Sequence, residues 1–280
     1  MIDFEPITGR YATLDIAGRA NRIYIEESGQ GRPIVCLHTA GADARQYRRM
    51  QTDPEVISQF RVIAFDLPWH GKSLPPEGWW TQEYLLTREL YVETVMAVIR
   101  ALELERPIVI GCSMAGSLVL ELARLHGGEL GGVVGFSGAA KVQGRFQDWS
   151  LYPDINANQA VPAWTYALMA PQSPLSDRKE VWWIYAQGGP GVYRGDTWFY
   201  SHGLDLTGRE HEIDTARCPV ALFTGEYDFA CSPEETEDTL ARIPGAVGGR
   251  MADIGHFPVA ENWPQCKTHL LPVLERFAGR

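Results

Sequence analysis

The stretch Arg106-Pro-Ile-Val-Ile-Gly-Cys-Ser-Met-Ala-Gly116 decides how the rest of this chain is interpreted. Its apolar residues 107–110 predict a short buried strand, and a helix is expected to follow the turn. Ser113 stands at the tip of the turn, two residues after Gly111. Small residues on both sides permit a tight strand-to-helix turn, which lifts the hydroxyl above the sheet edge beside unpaired helix N–H groups. That geometry suits acyl chemistry if the chain also supplies a base and an acid.

The composition is that of an ordinary globular protein, with 45% hydrophobic and 21% charged residues. A formal net charge of −10 disfavours a nucleic-acid partner or an anionic membrane surface, because both need clustered Lys and Arg. No apolar run approaches the ~20 residues of a membrane span. The acidic N-terminus, residues 1–6, lacks the basic region of a secretory signal. We therefore expect a cytoplasmic protein with neither a membrane nor a nucleic-acid partner.

The cysteines favour the same compartment. There are five, scattered along the chain, with no CxxC motif and no His/Cys cluster at metal-ligand spacing. An odd, dispersed set is typical of reduced thiols. The sequence therefore predicts no disulfide framework and no metal site.

Short apolar runs alternate with helical patterns along most of the chain. After a hairpin over 11–27, with its turn at Gly18-Arg19, strands are predicted at 34–37, 62–65, 107–110, 132–136, 219–224 and 249–254. Helices are predicted at 43–51, 81–102, from Ser113 to about Leu125, from Ser232 onward and at 263–277. Strands that are apolar throughout are typical of a parallel sheet covered on both faces. The predicted fold class is α/β.

Residues 140–213 interrupt this pattern. They hold five of the nine tryptophans and five of the eleven tyrosines, with no clear run of buried strands. We interpret them as an aromatic lid inserted into a core domain formed by residues 1–139 and 214–280; the alternative is an elaborated sheet edge. Arg145 and Arg178 fall within this insertion, and nothing in the sequence places either over the pocket.

A serine nucleophile needs a base, and the base needs an orienting carboxylate. His256 is the strongest base candidate, because it follows Gly255 after a late predicted strand. The loop after the 219–224 strand offers Glu226 and Asp228 as the acid. Parallel strands end at one edge of a sheet, so these side chains should lie near Ser113. The order Ser, acid, His is that of a nucleophile-elbow hydrolase.

Five motifs resemble those of the α/β-hydrolase fold family. The resemblance is to its lidded serine-hydrolase branch, which includes esterases, enol-lactonases, cofactor-free haloperoxidases and meta-cleavage-product hydrolases. The elbow, residues 111–116, resembles G-x-S-x-G-G, with Ala115 in place of a glycine. The other four are His38-Thr-Ala-Gly41, similar to H-G-x-G; Asp66-Leu-Pro-Trp-His-Gly-Lys-Ser73, similar to D-x-P-G-x-G-x-S; Gly225-Glu-Tyr-Asp228, matching G-x-x-D; and Gly255-His256, matching G-H.

The resemblance implies an α/β-hydrolase fold with a mainly parallel central sheet and a helical lid, and it selects Asp228 over Glu226. It implies that Ser113 attacks a carbonyl, His256 transfers the proton and Asp228 orients the imidazole. It also implies an oxyanion hole formed by the backbone N–H groups of Ala40 and Met114. Tyr47 and Trp69 are candidate pocket residues, and neither a cofactor nor a metal is expected.

The expected substrate is a small to medium, apolar or aromatic carboxylic ester or lactone, because the nucleophile is a serine and the insertion is rich in aromatic residues. Two alternatives stay open: a meta-cleavage-product hydrolase that cleaves a carbon–carbon bond, and a ligand-binding protein on the same fold. The expected partner is therefore a small ester-like molecule. The sequence leaves monomer and homodimer undecided.

Overall fold

The computed structural model describes residues 4–279. The first three residues of the N-terminal stretch discussed above, and Arg280, lie outside that range. The described chain forms an eight-stranded sheet with helices on both faces. The fold is thus the predicted α/β-hydrolase arrangement. Between residues 4 and 279, no helix combines the length and the apolar character needed to cross a bilayer.

The sheet begins with the predicted hairpin. Strand β1 (Thr8–Ile16) pairs antiparallel with β2 (Arg19–Ser28). The turn lies at Ala17-Gly18, one residue earlier than predicted, and both residues have positive φ, as tight hairpin turns require. The hairpin extends the edge of a parallel sheet, since β2 also pairs antiparallel with β4.

The other strands are mutually parallel, in the spatial order β1-β2-β4-β3-β5-β6-β7-β8. They are β3 (Arg32–Leu37), β4 (Phe60–Phe65), β5 (Ile108–Cys112), β6 (Gly132–Phe136), β7 (Val220–Gly225) and β8 (Val247–Met251). Successive side chains on a strand point to opposite faces. Val109 accordingly packs into the core on one side of the sheet, and its neighbours Ile108 and Ile110 pack into the core on the other. This explains why the central strands are apolar throughout.

Ten helices flank the strands in the described range: α1 (Arg48–Gln51), α2 (Pro54–Ile57), α3 (Arg88–Ala101), α4 (Met114–His126), α5 (Ala157–Tyr166), α6 (Leu175–Tyr185), α7 (Val192–Trp198), α8 (Pro233–Arg242), α9 (Pro258–Glu261) and α10 (Trp263–Ala278). Helices α3 and α4 contribute to one core and α10 to the other. The predicted capping box at Ser232 and Glu235 is present.

Helix α3 starts seven residues later than the predicted 81–102 helix. Thr87 caps it by accepting a hydrogen bond from the N–H of Leu90. Upstream, the hydroxyl of Tyr84 is tied to Asp196 in a distant part of the chain, at 2.7 Å. This tertiary contact holds residue 84 outside the helix, although the local apolar spacing favoured including it.

The chain between β6 and β7, called the β6–β7 segment below, contains α5, α6, α7 and several short helical turns, and no strand occurs in it. Side chains of α5 and α6 form a small core of their own with Phe257, next to the carboxyl ends of the sheet strands. Leu206 N–H also donates to Ala140 O at 2.9 Å, closing the segment back on its own start.

Candidate active site

Ser113 sits on a strained turn between β5 and α4. Its backbone has φ 62°, a conformation that a residue with a side chain rarely adopts. Two glycines make the turn sterically feasible. A Cβ on Gly111 would lie 2.3 Å from Ala115 O, and one on Gly116 would lie 2.1 Å from Phe136 O. The turn therefore needs glycine at both positions, and it tolerates Ala115 between them.

Three side chains that follow different strands meet at this turn. His256 Nε2 lies 2.8 Å from Ser113 Oγ, and His256 Nδ1 lies 2.8 Å from Asp228 Oδ2. All three residues are at most 4% exposed. Because a carboxylate can only accept, Nδ1 carries the proton of the neutral ring and Nε2 is left to accept the serine hydroxyl. This arrangement is competent for proton transfer away from Ser113.

The loop after β7 aims Asp228 and not Glu226 at the imidazole. The second carboxylate oxygen of Asp228 accepts the N–H groups of Ala230, at 2.7 Å, and Cys231, at 3.2 Å. These bonds fix the rotamer of Asp228. Glu226 is exposed and accepts the N–H of Asp253.

A buried carboxylate that the sequence did not reveal holds the loop around His256. Glu261 accepts the N–H groups on both sides of the histidine, from Gly255 at 2.6 Å and Phe257 at 3.1 Å. It also accepts the N–H of Ala170 and the hydroxyl of Ser173, both in the β6–β7 segment. Burial raises the pKa of Glu261, and these hydrogen bonds act against the rise.

The loop after β3 carries one unpaired backbone N–H in a residue, Ala40, that lines the same cavity as Ser113. Thr39 N–H donates to Gln46 Oε1 at 3.0 Å, and Gly41 N–H donates to Asp196 Oδ2 at 2.7 Å. Between them, Ala40 N–H has no acceptor within residues 4–279, and the same is true of Met114 N–H at the start of α4. Two free donors beside a nucleophile are what a developing oxyanion requires.

Asp196 lies in α7, completely buried, at the centre of a second polar cluster under this loop. Besides Gly41 N–H it accepts His70 Nε2–H and the hydroxyl of Tyr84, each at 2.7 Å. Burial alone would lower the pKa of His70, but the charge of Asp196 and its hydrogen bond raise it above its usual value. Burial and the neighbouring His70 instead lower the pKa of His38 to about 4. No local sequence signal marks Asp196, because its partners lie far away along the chain.

The cavity above Ser113 is small, with about 20 Å³ of free volume, room for roughly one water molecule. Its walls are largely side chains of the β6–β7 segment, among them Arg145, Trp164, Thr165, Leu168, Tyr185, Tyr193, Thr197 and Tyr200. A much larger cavity, of about 690 Å³, is a neighbouring cleft, called the outer cleft below, that is rich in aromatic residues. Tyr185 and Tyr193 line both cavities and so form the wall between them.

The two tentative pocket residues lie outside this inner cavity. Tyr47 is buried on the far side of the loop after β3, where its hydroxyl donates to Leu37 O at 2.8 Å. Trp69 lines the outer cleft, with its ring 5.3 Å from that of Tyr84.

Neither metal ligands nor disulfides contribute to this site. The five cysteines are buried and unpaired. Over residues 4–279 no group of three or more His, Cys, Asp or Glu side chains is arranged to hold a metal ion.

Comparison with solved structures identifies similar folds across almost the whole chain. An esterase from Thermogutta terrifontis superposes with a TM-score of 0.83 at 17% identity, over 96% of this chain and 99% of that one. The enol-lactonase from Burkholderia xenovorans LB400 superposes with a TM-score of 0.81 at 18% identity, over 95% and 100%.

Sequence comparison finds relatives as well. The 2-hydroxymuconate semialdehyde hydrolase of Pseudomonas sp. (strain CF600) is 29% identical over 113 residues, which are 40% of this chain and 38% of that protein. The chain spans about two fifths of the length of the first curated relatives it matches. The profile of the alpha/beta hydrolase family, however, matches residues 34–265, most of the chain. This protein therefore belongs to the alpha/beta hydrolase family.

Proposed function

We propose that this protein is a serine hydrolase that cleaves a small to medium, apolar or aromatic carboxylic ester or lactone. The observation that carries the proposal is the hydrogen-bonded line from Ser113 Oγ through His256 to Asp228, with 2.8 Å at each contact. The esterase and enol-lactonase among the structural neighbours share the fold, which is compatible with this chemistry but does not establish it.

The reaction follows from the donors and acceptors of the site. His256 Nε2 takes the proton of Ser113 as Oγ attacks the carbonyl carbon, and Asp228 stabilises the resulting imidazolium. The backbone N–H groups of Ala40 and Met114 donate to the tetrahedral oxyanion. His256 then returns the proton to the leaving alcohol. In the second half, His256 takes a proton from a water molecule that attacks the acyl carbon, and it returns this proton to Ser113 Oγ as the acid product is released. No cofactor is needed for this sequence.

We also propose that residues 140–213 act as the lid of this site, over a core formed by residues 1–139 and 214–280. Side chains from the segment supply most of the walls above Ser113, and the cavity as it stands is too small for an ester. Substrate entry therefore requires the segment, or its side chains, to shift. Tyr185 and Tyr193 separate the large aromatic cleft from the serine cavity, so their displacement would connect the two spaces.

The test is the hydrolysis of short p-nitrophenyl esters by the purified protein. Ser113→Ala should lower kcat by a factor of about 10⁴ or more, and Asp228→Asn by about 10³–10⁴. Glu226→Gln is the matched control, because it removes an exposed carboxylate from the same loop, and it should behave as wild type. Equal inactivity of wild type and Ser113→Ala across a broad ester panel would favour a ligand-binding role on this fold.

Carbon–carbon bond hydrolysis is the second candidate, supported by the match to 2-hydroxymuconate semialdehyde hydrolase. Ring-fission dienones absorb visible light, so bleaching on addition of enzyme would report their cleavage. Rapid bleaching that depends on Ser113, with poor turnover of simple esters, would select this reaction. Good ester turnover without bleaching would discard it.

A further inference from the structure

Arg145 is the cationic side chain of the Ser113 cavity. It lies nine residues after β6, and its backbone N–H donates to Ser201 Oγ at 2.9 Å, which fixes the base of the side chain. The residue lines the same small space as Ser113 and His256. Burial raises the pKa of Tyr193 and of Tyr200, and the charge of Arg145 opposes that rise in both. The charge of Arg145 thus acts on two tyrosines of the cavity wall.

Arg145 has no partner for its charge in the part of the chain that the structure describes. Its Nε is buried without a hydrogen bond, and the guanidinium forms no ion pair with residues 4–279. Two other arginines show the alternative: Arg194, from the same segment, contacts Glu83, and Arg124 contacts Glu121. The chain has a net charge of −10, so carboxylates that could pair with an arginine are abundant, and yet none pairs with Arg145 among the described residues. A half-buried, unpaired guanidinium is costly, and an anionic ligand would offset that cost.

The shape and charge of the cavity indicate which class of anion Arg145 would bind. A planar guanidinium fork matches a carboxylate, whose two oxygens accept parallel hydrogen bonds. Within residues 4–279 no second Lys or Arg lines the cavity, so a monoanion balances the charge better than a phosphate monoester would. We infer that the natural substrate carries a free carboxylate in addition to its scissile ester or lactone group, and that Arg145 binds this carboxylate. This inference rests on the proposed function.

Matched ester pairs test it. Mono-p-nitrophenyl adipate and p-nitrophenyl heptanoate differ in a carboxylate on the acyl side, whereas 4-carboxyphenyl acetate and phenyl acetate differ in one on the alcohol side. Wild type should prefer the anionic member of at least one pair. Arg145→Met should lower the ratio of kcat/KM, anionic over neutral, by about 10- to 100-fold, the range expected for a lost charge-assisted hydrogen bond. Arg178→Met is the control, because Arg178 contacts Ser173 O and Tyr166 away from the cavity, and it should leave the ratio unchanged.

Calorimetry separates failure of this inference from failure of the proposed function. In a Ser113→Ala background, mono-p-nitrophenyl adipate should bind at least tenfold more weakly once Arg145 is also changed to Met. The inference would be wrong if neutral esters are turned over, no ester pair shows a preference that depends on Arg145, and the affinity for mono-p-nitrophenyl adipate does not change. The proposed hydrolase function would be unaffected by that result. Arg145-dependent binding without turnover of any ester would instead retain the carboxylate site and reject the proposed reaction.

Discussion

The carboxylate of Asp196 joins Gly41 to the β6–β7 segment: Asp196 Oδ2 accepts the Gly41 N–H at 2.7 Å. Gly41 directly follows Ala40, whose N–H is one of the proposed oxyanion donors. The same oxygen accepts His70 Nε2–H. A residue of the segment that covers Ser113 therefore sets the backbone position of the loop beside it.

Asp196→Asn should weaken both functions of this carboxylate. Burial lowers the pKa of His70, and the negative charge of Asp196 opposes this effect. Without that charge, the pKa of His70 should fall below its wild-type value. The loop after β3 should also become less well ordered, and kcat on p-nitrophenyl esters should therefore fall by about tenfold. NMR titration of the His70 ring and steady-state kinetics measure the two effects. Asp205→Asn, an exposed ion-pair partner in the same segment, should change neither. An unchanged His70 titration in Asp196→Asn would contradict this assignment.

Glu261→Gln should destabilise the protein by about 2–3 kcal/mol, because one of the buried backbone N–H groups would face an amide NH₂ and not an acceptor. The loop it holds carries His256, so kcat should fall more than KM changes. Denaturant unfolding and ester kinetics test this. Glu275→Gln, on the exposed face of α10, is the comparison. A loss of stability with fully retained kcat would limit Glu261 to a structural role.

Gly116→Ala should disrupt the elbow, since the new Cβ would fall 2.1 Å from Phe136 O, a backbone atom that cannot move independently. We expect a loss of more than about 3 kcal/mol or failure to fold. Ala115→Gly, one position earlier, creates no such contact and should cost about 1 kcal/mol through helix propensity. Thermal unfolding compares the two, and similar melting temperatures would show that the elbow has more room than this distance indicates.

The decrease in the free energy of unfolding at acid pH should depend on His38. Its folded-state pKa, about 4, lies below the unfolded value near 6.5, so the unfolded chain binds an extra proton between those pH values. This contribution to stability is present above pH 6.5 and is lost as the pH falls toward 4, amounting to about 3 kcal/mol. His38→Gln should therefore flatten the fall in unfolding free energy between pH 7 and pH 5. A parallel fall in both proteins would show that groups other than His38 dominate this range.

Much of the fold was predictable because it is encoded locally. Strands such as β5 and β6 are continuous apolar runs, and Ser232 with Glu235 marks the start of α8. The three residues proposed for catalysis each follow a strand, so the parallel topology alone directs them to one edge. What the sequence could not reveal depends on long-range contacts. Tyr84 is kept out of α3 by Asp196, 112 residues away.

The two buried carboxylates that hold the loops of the site, Asp196 and Glu261, could not be predicted for the same reason. Asp196 and Glu261 carry no motif, and their importance comes from burial and from the backbone N–H groups that happen to converge on them. The position of Arg145 over the cavity likewise depends on how the β6–β7 segment folds. Aromatic composition predicts that such a segment packs against something apolar, but it does not specify which side chain faces Ser113.

The hydrogen bonds between residues 168–173 and the His256 loop restrict how the site can open. Leu168 O accepts the His256 N–H at 3.0 Å, and Glu261 connects Ala170 and Ser173 to the residues flanking the imidazole. Lifting this stretch would pull on the histidine and separate it from Ser113. This stretch must therefore stay in place in any movement that keeps the imidazole aligned, and the displacement that admits a ligand must occur elsewhere in the β6–β7 segment. Admission of a ligand and alignment of the imidazole are thereby assigned to different parts of one segment.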